Sequence, residues 1–213
     1  MKITPVKTPS VAKKMFPNYV WDIPTNTKEL YLTFDDGPTP NITKWTLDLL
    51  KQYNAKATFF CIGDNIENHP GIFQNIIKDG HTIGNHTQHH VKGWKTKTKA
   101  YITDVLEAEK QIELQQSKRS NLFRPPYGQI KPKQGKKLIA LDYKIIMWDV
   151  LSFDWQKEIS GEDCLNNVIS KSKEGSIIVF HDSIKASKNM MYALPKVLEY
   201  FSEAGYQFKT LDL

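Results

Sequence analysis

A chain of 213 residues, 40% hydrophobic and 24% charged, is long enough to bury one substantial core and short for two. Its 29 Lys and Arg exceed its 23 Asp and Glu by six, but the basic residues are scattered and not interleaved with stacking aromatics. That distribution argues against a nucleic-acid partner and leaves only weak attraction to anionic polymers.

The N-terminal segment, residues 1–27, reads as a lead punctuated by proline, followed by a single domain over residues 28–213. Met1 to Trp21 contain no apolar core of signal-peptide length, so the chain as written is expected to stay in the cytoplasm. A form trimmed of its leader, and so secreted or held at the cell envelope, would read the same. No run approaches a membrane span. Cys61 and Cys164 are far apart, match neither a zinc spacing nor a disulfide framework, and read as buried free thiols.

Short β-branched or aromatic runs bounded by Gly, Pro or Asp predict seven strands, at 30–34, 57–63, 81–86, 121–125, 143–150, 175–182 and 207–213. Between them, helix-like spacing predicts helices at 42–53, 70–80, 98–116, 133–142, 161–175 and 190–205. Such alternation predicts a parallel sheet. The unusual polar residues end the strands: Asp35 and Asp36 the first, His86 the third, Arg124 the fourth, Asp149 the fifth and His181 the sixth. In a (β/α) barrel the loops at that face build the site, whereas an open doubly wound sheet gathers only the residues at its switch point. The expected fold is therefore α/β, an irregular (β/α) barrel of about seven parallel strands.

Adjacent side chains on a strand point to opposite faces, so Asp35 and Asp36 converge only if the chain bends, as Gly37-Pro38 allows. Converging carboxylates repel unless a cation or donor separates them, although two turn-capping aspartates fit the stretch equally well. In "GNHTQHHV", His86 and His90 stand one helical turn apart, which would put both imidazoles on one face, as metal ligation needs; His89 points elsewhere. Exposed loop histidines are the alternative. In "FRPPYG", Pro125 and Pro126 stiffen the loop after Arg124 and leave the backbone N–H of Tyr127 free to meet a ligand, while a plain turn also accounts for the prolines. Asp154 and Trp155 suit a sugar-binding wall, or Trp155 the core; His181 leaves a buried strand with Asp182 beside it.

Together "TFDDG", "HTQHH", "RPPYG", "SFDW" and "IVFHD" occur in the order of the five motifs of the NodB-like polysaccharide deacetylases, carbohydrate esterase family 4, and the chain resembles that family from about Leu30 to Leu211. The resemblance implies one divalent metal on Asp36, His86 and His90, zinc foremost, with cobalt, nickel or manganese as alternatives. It implies Asp35 as general base oriented by Arg124, and His181 as general acid tuned by Asp154. It also implies an oxyanion contact from the Tyr127 N–H after Pro126, and Trp155 lining the site. The implied substrate is an N-acetylglucosamine-containing polysaccharide or oligosaccharide, peptidoglycan- or chitin-like; no protein partner is implied. One position departs: Leu151 stands where the family usually has the first Asp of DxxDW. Asp149, two residues earlier on the same strand face, either substitutes for it or the loop reads a different sugar.

O-deacetylation of acetylxylan and a carbohydrate-binding pseudoenzyme are the alternatives. A phosphatase or nuclease would want further carboxylates or a phosphate-cradling loop. A glycosidase would want carboxylates separated by about 5 Å or more across the scissile bond.

Overall fold

The computed structural model of the protein describes residues 5–213, so the first four residues of the expected lead, 1–4, lie outside the described residues. The order begins α1 (Ser10–Met15), β1 (Tyr19–Val20), β2 (Glu29–Asp35), α2 (Ile42–Gln52), β3 (Ala57–Cys61), α3 (Gly63–Asn68), α4 (Pro70–Lys78), β4 (Thr82–Asn85) and α5 (Thr98–Gln116). It continues β5 (Leu122–Phe123), a 3-10 turn (Pro126–Gly128), α6 (Pro132–Ala140), β6 (Lys144–Ile146), β7 (Val150–Leu151), α7 (Gly161–Ile169), β8 (Ile177–His181), α8 (Ser187–Glu203) and β9 (Gln207–Phe208).

All strand pairs are parallel, in the order β1-β6-β5-β4-β3-β2-β8-β7, with β9 added to the start of β2. The predicted strand at 143–150 is two strands, not one: β6 and β7 lie six strand spacings apart in that order, joined only by residues 147–149. Laid flat, six spacings would cover about 29 Å. The chain from Ile146 to Val150 reaches at most about 14 Å. The sheet therefore curls until its two sides meet, which gives the expected irregular barrel with a seam at residues 147–149. Residues 5–27 cross that seam. Val20 O accepts the Met147 N–H at 2.7 Å, Val6 O accepts the Leu151 N–H at 2.9 Å, and β1 pairs with β6.

Period-two alternation sorts β2 into two faces. Leu30, Leu32 and Phe34 join the main apolar cluster under the helices, with Phe59, Phe180 and Val197. Tyr31, Thr33 and Asp35 face the interior instead, where Tyr31 packs with Phe60, Leu122 and Ile177, and where Thr33 and Asp35 meet Arg124. On β8, Ile178 and Phe180 take the helix side, leaving Val179 and His181 inside. The same periodicity thus delivers both a core and an inward row of polar groups. Cys61 and Cys164 are buried and free, as expected. No helix among the described residues is long and apolar enough to cross a membrane.

Asp149 departs from its expected place. It lies at the N-terminal end of β7, opposite the mouth, where its carboxylate accepts Lys7 Nζ at 2.9 Å, Lys13 Nζ at 2.6 Å and Ser176 Oγ at 2.6 Å. The split of the predicted strand is the cause, because a residue at the end of one strand has become a residue before the next. Asp149 therefore does not stand in for an acid at position 151. Burial alone would raise its carboxyl, but Lys13, Ser176 and Lys7 outweigh that and hold it below the usual carboxylate range. A depressed pKa contributes stability above the unfolded value of about 3.9, and that contribution is lost as pH falls through the folded pKa. Asp149→Asn is accordingly expected to lower stability at pH 7 by about 1–3 kcal/mol. Denaturant titrations should show the gap to wild type closing below about pH 4.

Candidate active site

The paired aspartates converge because the chain turns at Asp36 itself, one residue before Gly37-Pro38. Asp36 has φ 80°, a left-handed conformation that costs a non-glycine residue and persists only when its surroundings hold it. They do so on both sides. Asn65 Nδ2 donates to Asp36 O at 2.7 Å, the Gly37 N–H donates to Asp182 Oδ1 at 3.0 Å, and Thr43 Oγ donates to Asp182 Oδ2 at 2.5 Å. A Cβ at position 37 would lie 2.1 Å from Asp182 Oδ2, so only glycine fits there. Burial pushes the Asp182 carboxyl up to about 8, against its hydrogen bonds from Thr43 and Gly37.

His86 and His90 come together without the expected helical turn. His86 follows β4 directly, and residues 87–90 form a loop with two left-handed residues, Thr87 at φ 67° and His90 at φ 53°. The loop's amides are satisfied from elsewhere. Asn85 Oδ1 accepts the Thr87 N–H at 2.9 Å, and Asp104 Oδ1 accepts the Gln88 and His89 N–H groups at 2.9 and 3.1 Å. These side-chain caps replace the carbonyls a helix would have offered. His89 turns outward to Asp104 Oδ2 at 2.6 Å, so the group of exposed His89, buried Asp104 and exposed Glu107 reads as a loop clamp.

The two imidazole rings lie 5.1 Å apart. His86 Nδ1 donates to Arg124 O at 2.8 Å, which leaves Nε2 with its lone pair. Burial, with the Arg124 charge, holds His86 below its ordinary value despite Asp35 and Asp36, and burial with His86 beside it lowers His90 to about 4. Both rings are therefore neutral at pH 7. Asp36 Oδ1 lies 3.3 Å from His90 Nε2 and 3.8 Å from His86 Nε2, and it is buried with no hydrogen-bond partner. A buried carboxylate oxygen facing two neutral nitrogens suits a cation, and one oxygen with two imidazoles is a fitting donor set for a zinc-type ion.

Arg124, fully buried, meets the other aspartate. Nη1 donates to Asp35 Oδ1 and to Thr33 Oγ1, both at 2.7 Å. Nη2 donates to Met147 O at 2.9 Å and Nε to Ile146 O at 3.3 Å, while the guanidinium lies 4.1 Å from the Phe60 ring centroid. Burial would raise Asp35, but Arg124, then His86 and His181, hold its carboxyl below the usual range. Across the mouth, Asp154 accepts the His181 backbone N–H at 2.7 Å and His181 Nδ1 at 2.8 Å. Burial would lower that histidine, yet Asp154 foremost, with Asp36 and Asp35, lifts it to about 9. The site therefore pairs an ionised carboxylate with a protonated imidazole, two opposite proton states held near one cavity.

That cavity, of about 450 Å³, is lined by Asp35, Asp36, His86, His90, Tyr127 and His181, and also by Trp155, whose ring stands edge-on to His181 at 4.6 Å. Leu151 lines it too, so the departing position does lie at the mouth. Pro126 is buried in the 3-10 turn and Pro125 faces the cavity instead; Tyr127, at φ 59°, lays its ring 4.6 Å from that of His90. Trp148, Ser183 and Lys185 line the cavity without having been singled out in the sequence, and Thr43, Asn65 and Asp182 hold Asp36 from behind. Only Asp182 had a signal there, its place beside His181; what it grips lies 145 residues away along the chain.

The family profile described as Polysaccharide deacetylase matches residues 22–146. The chain belongs to that family, the NodB-like deacetylases of carbohydrate esterase family 4. It is 35% identical over 194 residues to a peptidoglycan-N-acetylglucosamine deacetylase of Bacillus cereus, covering 90% of each chain. It is 31% identical to the peptidoglycan-N-acetylmuramic acid deacetylase PdaA of Bacillus subtilis, covering 88% of this chain and 72% of that one. The crystal structure of the Bc1960 peptidoglycan N-acetylglucosamine deacetylase superposes with a TM-score of 0.88 at 35% identity, covering 96% of this chain and 95% of that one.

Proposed function

We propose that the protein removes N-acetyl groups from N-acetylated hexosamines of a peptidoglycan-type polysaccharide, releasing acetate, with one divalent ion, zinc foremost, held by Asp36, His86 and His90. The observation that carries this is the orphaned Asp36 Oδ1 facing two neutral imidazoles, set between an ionised Asp35 and a protonated His181. The ion would polarise the acetamide carbonyl and acidify the attacking water. Asp35, with Oδ1 held by Arg124, offers its second oxygen to that water and takes its proton as the oxygen adds to the carbonyl carbon. The Tyr127 N–H is assigned to the developing oxyanion. His181 then gives its Nε2 proton to the amide nitrogen as the carbon–nitrogen bond breaks, leaving acetate and a free amino sugar. Trp155 packs on His181 and presents an apolar wall to the sugar.

A carbohydrate-binding pseudoenzyme would have no use for this acid–base pair. Acetate release from peptidoglycan strands, chitooligosaccharides and acetylxylan, measured with zinc-loaded protein, tests the proposal. Release is expected from the N-acetylated substrates. Release from acetylxylan alone would reassign the protein to ester hydrolysis, and release from none would overturn the proposal.

A further inference from the structure

The charges lining the cavity are compensated, with one exception. Asp35 is paired with Arg124 at 2.7 Å, and His181 with Asp154 at 2.8 Å. Asp36 faces the two imidazoles and the cation assigned to them. Lys185 also lines the cavity and makes no ion pair among the described residues. It is an exposed side chain four residues after β8, and it shares the cavity lining with Leu151 and Val179, which the pairing of β7 with β8 sets against each other. Both of those residues are apolar, and the carboxylates of the lining are Asp35 and Asp36, each already matched as above. The lining therefore offers a substrate one positive charge with no ion-pair partner among the described residues, on an exposed side chain at the cavity's edge where it can make a charge-assisted hydrogen bond to a carboxylate.

We propose that Lys185 reads a carboxylate on the polymer. Resting on the deacetylase reading above, this makes the preferred substrate an N-acetylated glycan that carries carboxylates, either on the sugar itself or on a peptide attached to it, over a neutral chain of the same length.

The test uses the zinc-loaded full chain and three N-acetylated oligosaccharides of equal length. One is a neutral chitooligosaccharide, one contains N-acetylmuramic acid without peptide, and one contains the same sugar bearing peptide. The readout is the ratio of kcat/KM on each carboxylated substrate to that on the neutral one, which cancels any loss common to all. Lys185→Ala is expected to lower the ratio about tenfold, the scale of one charge-assisted hydrogen bond. Lys185→Arg should keep it. Leu151→Asp, which places a carboxylate in the same lining, should lower it as well. A fall on both carboxylated substrates puts the carboxylate on the sugar, and a fall on the peptide-bearing one alone puts it on the peptide. An unchanged ratio in Lys185→Ala overturns the assignment while leaving deacetylation intact. Absence of acetate from wild type on all three would overturn the deacetylase reading itself.

Discussion

Asp35→Asn is expected to load metal like wild type and release acetate at least 10² times more slowly, a loss of the order produced by removing a general base. Asparagine keeps the shape of aspartate and can still accept Arg124 Nη1 through Oδ1, but it cannot take up a proton. The buried guanidinium loses its counter-charge, so a drop in Tm accompanies the change. Its bonds to Thr33 Oγ1, Ile146 O and Met147 O remain and keep the fold. Asp36→Asn should fail differently. It keeps the base but replaces the anionic ligand, so metal affinity falls markedly and activity recovers in part under excess zinc or cobalt. Calorimetric metal titration with acetate release on both variants decides between these roles. Equal loss of metal from both variants would sink the division of labour, and so would an Asp36→Asn protein that stays loaded and inactive.

The second large effect belongs to His181. His181→Ala should lower turnover about 10² to 10⁴ fold with metal content unchanged, because His181 is not among the ligand set. The pH profile supplies an independent readout. Asp154 holds His181 protonated up to about 9, so wild-type activity should fall as pH rises through that region and the acid is lost. His181→Ala should lack this alkaline limb. Near-normal turnover in the variant, or an alkaline limb that survives the substitution, would remove His181 from the role of acid.

Much of the site was legible because its chemistry is local in sequence. Asp35-Asp36 before Gly37, His86 and His90 at fixed spacing, Arg124 before two prolines, and His181 at a strand end are each short patterns whose strand-end position follows from alternating periodicities. The spacing of His86 and His90 predicts that the two rings come together, which they do, but not by the helical turn it implied. Four residues can bring two side chains together through a helical turn or through a loop with two left-handed residues, and the loop is selected by Asn85 just before it and by Asp104 from α5.

By itself, then, the sequence determined the βα alternation, the parallel sheet and which polar residues end the strands, since these depend on residue type and on periods of two and 3.6. The tertiary structure alone decided where the barrel closes. The run at 143–150 is apolar apart from Lys144 and Asp149 and reads as one strand, but the curl of the sheet places its two halves on opposite sides of the seam and carries Asp149 to the far end. It alone also decided which groups hold Asp36 in its left-handed turn and which cation at the mouth has no ion pair among the described residues. The contacts of Asp182 join residues more than a hundred positions apart, and no local pattern of residue types encodes them.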